Sequence, residues 1–144
     1  MNKRRLLKLA DLLEADAKNK KGIKFDLGTW GYTNNSNYFT DDAPDPAISC
    51  GTTACALGLA ALSGKFKRCG LTAKVSYRIN GKNISIHLGR CEGLSAANRL
   101  FDIPMKVSEW LFLESGYGTN VDGAKGERAV AKRIRDFVAG EARP

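Results

Sequence analysis

Between residues 71 and 88 the chain alternates apolar and polar side chains on both sides of Asn80-Gly81. A period of two sends successive side chains to opposite faces of a strand, and Asn-Gly favours a two-residue hairpin turn. The stretch therefore predicts an antiparallel hairpin that turns at 80–81. In that register Tyr77 faces Ile84, Val75 faces Ile86 and Ala73 faces Leu88, all on one apolar face. Arg78 with Asn83, Ser76 with Ser85 and Lys74 with His87 share the other face, which is expected to meet solvent.

A hairpin with one apolar face must be covered to be stable. Residues 53–62 offer the cover, since they hold Ala, Leu, Gly, Cys and Thr and no charge. A helix that is apolar all round is a buried one. Ser49, Thr52 or Thr53 is its expected cap, and Gly58 the point where a neighbouring element comes close.

Around this pair the periodicity predicts amphipathic helices. One spans 3–19 on Leu6, Leu9, Leu13 and Ala17, and another spans 95–101 behind a capping Ser95. A third starts at Pro104 and carries Val107, Trp110, Leu111 and Leu113; the last spans 124–139, with Val130, Ile134, Phe137 and Val138 inward and Gly140 as its stop. A short strand is expected at 23–27, with Trp30 anchored between Gly28 and Gly31. Residues 31–49 form a long polar connection. The expected architecture is one α+β domain over 1–144: an antiparallel hairpin or small sheet packed with a buried central helix and surrounding amphipathic helices.

Several function classes drop out early. No apolar run reaches the length that spans a bilayer, and the basic start Met1-Asn2-Lys3-Arg4-Arg5 leads into a helix broken by Lys8, Asp11 and Glu14, not into a signal-peptide core. A cytoplasmic protein with no membrane partner is expected. The four cysteines, Cys50, Cys55, Cys69 and Cys91, include no C-x-x-C pair, so reduced packing thiols are expected and no metal site. Gly116-Tyr117-Gly118 and Gly51-Thr52-Thr53 match neither a P-loop nor a dinucleotide fingerprint, and turn chemistry explains both; no cofactor is expected. Asp41, Asp42 and Asp45 are read as a solvated acidic loop.

Charge is placed unevenly along the chain, whose net charge is +8. Residues 1–24 carry eight Lys/Arg against three acids, and residues 25–64 carry four Asp and no cation. Residues 65–90 then carry seven Lys/Arg and no carboxylate: Lys65, Lys67, Arg68, Lys74, Arg78, Lys82 and Arg90. A stretch of this kind marks an anion-binding or nucleic-acid-binding surface, set against the alternative of a solvated strand face. Base stacking is not expected, because no exposed aromatic row accompanies the cations.

One arrangement suggests an enzyme instead. A thiol at a helix start has its thiolate stabilised by backbone N–H groups, so Cys50 or Cys55 paired with His87 would make a thiol-dependent hydrolase or transferase. The expected placement of His87 on the polar hairpin face argues against it.

Six blocks of the chain carry a likeness: the helix Leu6-Leu7-Lys8-Leu9-Ala10-Asp11-Leu12-Leu13-Glu14, the run Phe25-Asp26-Leu27-Gly28-Thr29-Trp30-Gly31, Cys50-Gly51-Thr52-Thr53-Ala54-Cys55-Ala56-Leu57-Gly58, Ala96-Ala97-Asn98-Arg99-Leu100-Phe101, Trp110-Leu111-Phe112, and the closing amphipathic helix. With them the chain resembles small uncharacterised proteins carried by bacteriophages, prophages and their bacterial hosts. The resemblance implies no activity. It does imply a context, that of accessory factors which bind and disable a host protein, a nucleoprotein or a signalling nucleotide. The functional expectation is thus a non-catalytic binding protein with a basic surface. It would act as a phage-encoded anti-host, anti-defence factor on a nucleic acid, nucleoprotein or nucleotide signal in the host cytoplasm.

Overall fold

A computed structural model describes residues 1–19, 23–33, 52–78, 81–118 and 122–144, with the side chains of 33, 75–78 and 81–82 outside the description. It is a mixed α+β fold. In chain order the elements are α1 (Lys3–Asp16), β1 (Lys24–Phe25), β2 (Tyr32–Thr33), β3 (Thr52–Ala54), α2 (Ala56–Leu62), a 3₁₀ turn (Lys67–Cys69), β4 (Leu71–Arg78) and β5 (Gly81–Leu88). There follow β6 (Cys91–Glu92), α3 (Leu94–Phe101), α4 (Met105–Phe112), a second 3₁₀ turn (Glu114–Gly116) and α5 (Gly123–Ala139).

The hairpin exists, but its register differs from the expected one by two residues. Val75 pairs with Ile84, Ala73 with Ile86, Leu71 with Leu88, and Arg78 with Gly81. Gly81 is therefore a ladder residue, and the expected 80–81 turn is absent; the connection is 79–80, which lies outside the described residues. Likewise Thr72, not Lys74, faces His87, and Ser76, not Arg78, faces Asn83. The physical reason is burial. The Asn-Gly turn would leave Leu71 opposite Arg90, whereas the observed register sets it against Leu88, and both leucines are buried. A slip of two preserves the faces because the side-chain period is two. Ile84, Ile86 and Leu88 are accordingly buried, while Ser85 and His87 alternate with them on the other side. Val75 and Tyr77, expected on the buried face, have side chains outside the description.

The sheet runs in the order β1-β3-β2-β5-β4, with β6 also pairing β5. The expected strand at 23–27 contributes only Lys24–Phe25, and it joins β3 in parallel rather than the hairpin. Thr52–Ala54, expected as the cap and first residues of the helix, is the strand between β1 and β2. Two β-branched threonines suit that half-buried ladder better than a helix interior. The buried helix thus starts after Cys55, which stands at the cap position in place of either threonine; Ser49 lies outside the described residues.

Helix α2 is buried along almost its whole length, including Leu57, Leu59 and Leu62. Its first turn meets the carbonyl of Trp30 so closely that a Cβ on Gly58 would stand 1.9 Å from that oxygen. The expected close approach at Gly58 is therefore present. Gly93, not Ser95, stands at the start of α3. Gly140 ends α5 in the left-handed conformation at φ 85°, as glycine there allows. Along α5, Val130 and Ile134 are buried, and Phe137 and Val138 pack at the edge of the same core. Helices α1 and α5 lie together, joined by Arg135, which bonds Asp11 at 2.6 Å and Glu14 at 2.9 Å. The buried side chains make one cluster that reaches from α1 to α5.

Candidate anion-binding cleft

The fold divides the expected basic surface. The register places the 3₁₀ turn and the 89–90 turn at one end of the hairpin, since Leu71 pairs with Leu88. Lys65, Lys67, Arg68 and Arg90 are exposed at that end, and Lys74 is exposed partway along β4. Arg78 and Lys82 belong to the opposite end, beside 79–80, and their side chains are outside the description. Lys65, Lys67, Arg68 and Arg90 thus share one end of the hairpin, and residues 78 and 82 belong to the other.

What the fold adds is the start of α1. A cleft of about 490 Å³ lies between this helix and the 3₁₀ turn, lined by Asn2, Arg4, Arg5, Lys8, Phe66 and Cys69. Phe66 is the anchor. Its ring is fully buried and meets Phe101 edge-on at 6.2 Å, so the segment on either side of it is held against the core. Cys69 donates its backbone N–H to the Phe66 carbonyl at 2.9 Å, and Gly70, at φ 84°, ends the turn and turns the chain into β4. From the other side Lys8 donates to the Lys65 carbonyl at 2.6 Å, with its ammonium 5.1 Å from the centre of the Phe66 ring. Arg5 donates one N–H to the Leu100 carbonyl at 2.9 Å. A guanidinium carries five N–H donors, so most of Arg5 is left for a ligand.

Two features of the cleft's electrostatics reinforce each other. Among the described residues no carboxylate lines it. The acids of α1 are turned elsewhere, with Asp11 and Glu14 held by Arg135 of α5. Moreover, the first turn of α1 contains no acid but does contain Lys3, Arg4 and Arg5. A helix start carries a partial positive charge that favours anions, so cations there weaken the isolated helix by a few tenths of a kcal/mol or more. An anion in the cleft would be attracted by the dipole and by the side chains together.

Arg4, Arg5 and Lys8 were not among the expected site residues. The signal for them was present, in the excess of cations over residues 1–24, but their helical spacing read as the polar face of an ordinary amphipathic helix.

The thiol arrangement is not assembled among the described residues. Cys55 is buried, its Sγ lies 3.9 Å from the Trp30 carbonyl oxygen, and burial pushes its pKa up to about 11. Helix N–H groups near it act in the opposite direction but do not prevail. His87 is on the other face of β5 from the buried Ile86, with its Nε2 2.8 Å from Ser85 Oγ and 3.9 Å from Glu92. Cys50 and the acidic residues 41, 42 and 45 lie outside the described residues. Gly116 is no phosphate cradle. A Cβ there would stand 2.8 Å from the Trp110 carbonyl and 2.8 Å from Arg133, whose guanidinium stacks on Tyr117. Among the described residues no group of three His, Cys, Asp or Glu is placed to hold a metal, and no helix is long and apolar enough to cross a membrane.

Comparison with protein-family models, with curated proteins and with solved structures finds no match to this chain or its fold.

Proposed function

We propose that the protein is a non-catalytic binder of an anionic partner, a nucleic acid or nucleoprotein, and that it grips phosphates in the cleft between α1 and the 3₁₀ turn. The observation that carries this reading is the gathering of Arg4, Arg5 and Lys8, at a dipole-positive helix start, beside exposed Lys65, Lys67 and Arg68, with no carboxylate among the described residues that line the space. Phe66 is buried under Lys8, so the cleft offers no stacking surface, and recognition is of backbone phosphates without preference for base. Within the context that the phage resemblance implies, the protein is an accessory factor that engages host nucleic acid or nucleoprotein in the cytoplasm.

Fluorescence anisotropy with a labelled single-stranded oligonucleotide tests the reading. Each phosphate neutralised on a single strand contributes about −0.7 to the slope of log K against log salt, so three to five contacts give a slope of about −2 to −3.5. Oligonucleotides of unrelated sequence should give the same slope. A flat salt dependence, or no binding at low salt, contradicts it.

A further inference from the structure

We propose that the outer edge of β4 receives an extended acidic segment of a partner protein, which adds to the sheet as one more strand. The sheet ends on β4, and among the described residues no strand pairs with the side of it that faces away from β5. The edge is long and regular: all eight residues from Leu71 to Arg78 keep an uninterrupted register with Gly81 to Leu88, with no bulge and no proline. In an antiparallel pair alternate residues of an edge strand turn their N–H and C=O outward, so about four residues of β4 direct donors and acceptors away from β5, unpaired by any strand among the described residues. The opposite edge of the sheet is β1, whose two residues are too short to act as such a template. Backbone pairing on an exposed edge is a recurrent way to hold an extended peptide, with alternate side chains supplying selectivity.

Charge decides the occupant. Thr72 and Lys74 are exposed on β4, and neither β4 nor its partner β5 contains a carboxylate. A second copy of this chain would lay β4 along β4, and the registers that keep the polar faces together and pair most of the strand set Lys74 opposite its own mate or diagonal to it. Like charges across a ladder are destabilising, and an edge lysine is a common guard against self-pairing. An acidic strand meets the same lysine as an opposite charge. Its other face, alternating with the acids, continues the side on which half-buried Ala73 and buried Leu71 lie, so that face should be apolar. The inference is independent of the cleft, since it uses the β4 backbone and Lys74 and none of the α1 cations.

The test uses the whole protein, isotope-labelled for NMR, and a capped eight-residue peptide of alternating Glu and Val. Two further peptides carry N-methyl groups on the odd or on the even residues, and a fourth replaces Glu with Lys. Strand addition predicts slowed hydrogen exchange at alternate amides within 72–78. It also predicts at least a tenfold loss of affinity for one N-methyl set only and for the Lys peptide. The inference is overturned if millimolar peptide gives no protection, or if both N-methyl sets bind as well as the parent, which would show charge attraction without pairing. It is equally overturned if the outward amides are already protected in the free protein, or if the protein dimerises through them.

Discussion

Gly58 and Cys55 flank the point where the Trp30 carbonyl meets the first turn of α2. A Cβ at Gly58 would stand 1.9 Å from the Trp30 oxygen and 2.8 Å from the Ala54 Cβ, and the first of these neighbours is backbone that cannot rotate away. Gly58→Ala should therefore cost about 3 kcal/mol in a denaturant titration, despite the better helix propensity of alanine, because overpacking at a backbone contact has no soft escape. An unchanged midpoint would show that the contact is looser. At Cys55 burial holds the thiol protonated, with a pKa near 11. Iodoacetamide at neutral pH should modify half-buried Cys69 and Cys91 well before Cys55, as read by peptide mass mapping. Rapid selective labelling of Cys55 would revive the thiol enzyme. Both residues were legible in the sequence, for a reason that generalises: a glycine and a small thiol inside a charge-free apolar run have nowhere to be but inside.

At the scale of elements, the packing of α5 on α1 buries a carboxyl group that is ill at ease when charged. Glu127 is buried in the first turns of α5, with one carboxyl oxygen unpartnered, and its other interaction is a hydrogen bond to Asp16 at the end of α1. Burial first, and then Asp16, pushes the Glu127 pKa up to about 8, with Arg128 acting weakly against the shift. Asp16 is raised as well, by burial. The sign follows from the raised value: the protonated carboxyl fits the folded state, so its stabilising contribution is full below about pH 4.5 and is lost as pH rises toward 8. Glu127→Gln keeps a donor toward Asp16 without the charge. It should raise stability on the order of 2 kcal/mol at pH 8, leave it nearly unchanged at pH 4.5, and flatten the fall between. A variant that tracks the parent at every pH would contradict this account. Nothing in the linear pattern marks the pair, because Asp16 and Glu127 are brought together only when the two helices pack. The hairpin shows a second limit of the same kind. Alternation disclosed the strands and their faces, but the register was set by the partner of Leu71 in the core, which outweighed the local preference of Asn80-Gly81 for a turn. The strand at Thr52–Ala54 was missed likewise, since its partners Lys24–Phe25 and Tyr32–Thr33 come from a distant part of the chain.

Over the whole molecule the charges sort themselves. Asp11 and Glu14 of α1 are held by α5, while Arg4, Arg5 and Lys8 line the cleft beside the 3₁₀ turn, where the start of the chain meets residues 66–69. Lys65, Lys67 and Arg68, which flank the cleft, were legible as part of a run without carboxylates. Its α1 side was not legible, because the encounter of α1 with residues 65–69 is made by Phe66 in the core and by Lys8 on the Lys65 carbonyl. The central claim is that this meeting binds phosphate, and one comparison addresses it directly: oligonucleotide affinity of Arg4→Glu/Arg68→Glu against that of Lys106→Glu/Lys125→Glu, which changes net charge equally on α4 and α5. All four side chains are exposed, so both double variants should melt close to the parent. The cleft variant should lose more than tenfold in affinity at about 100 mM salt and become less salt-dependent by about 1.4 in log–log slope, while the control stays within about threefold. Equal losses in the two variants would mean that only net charge attracts the nucleic acid and that the cleft is not its site.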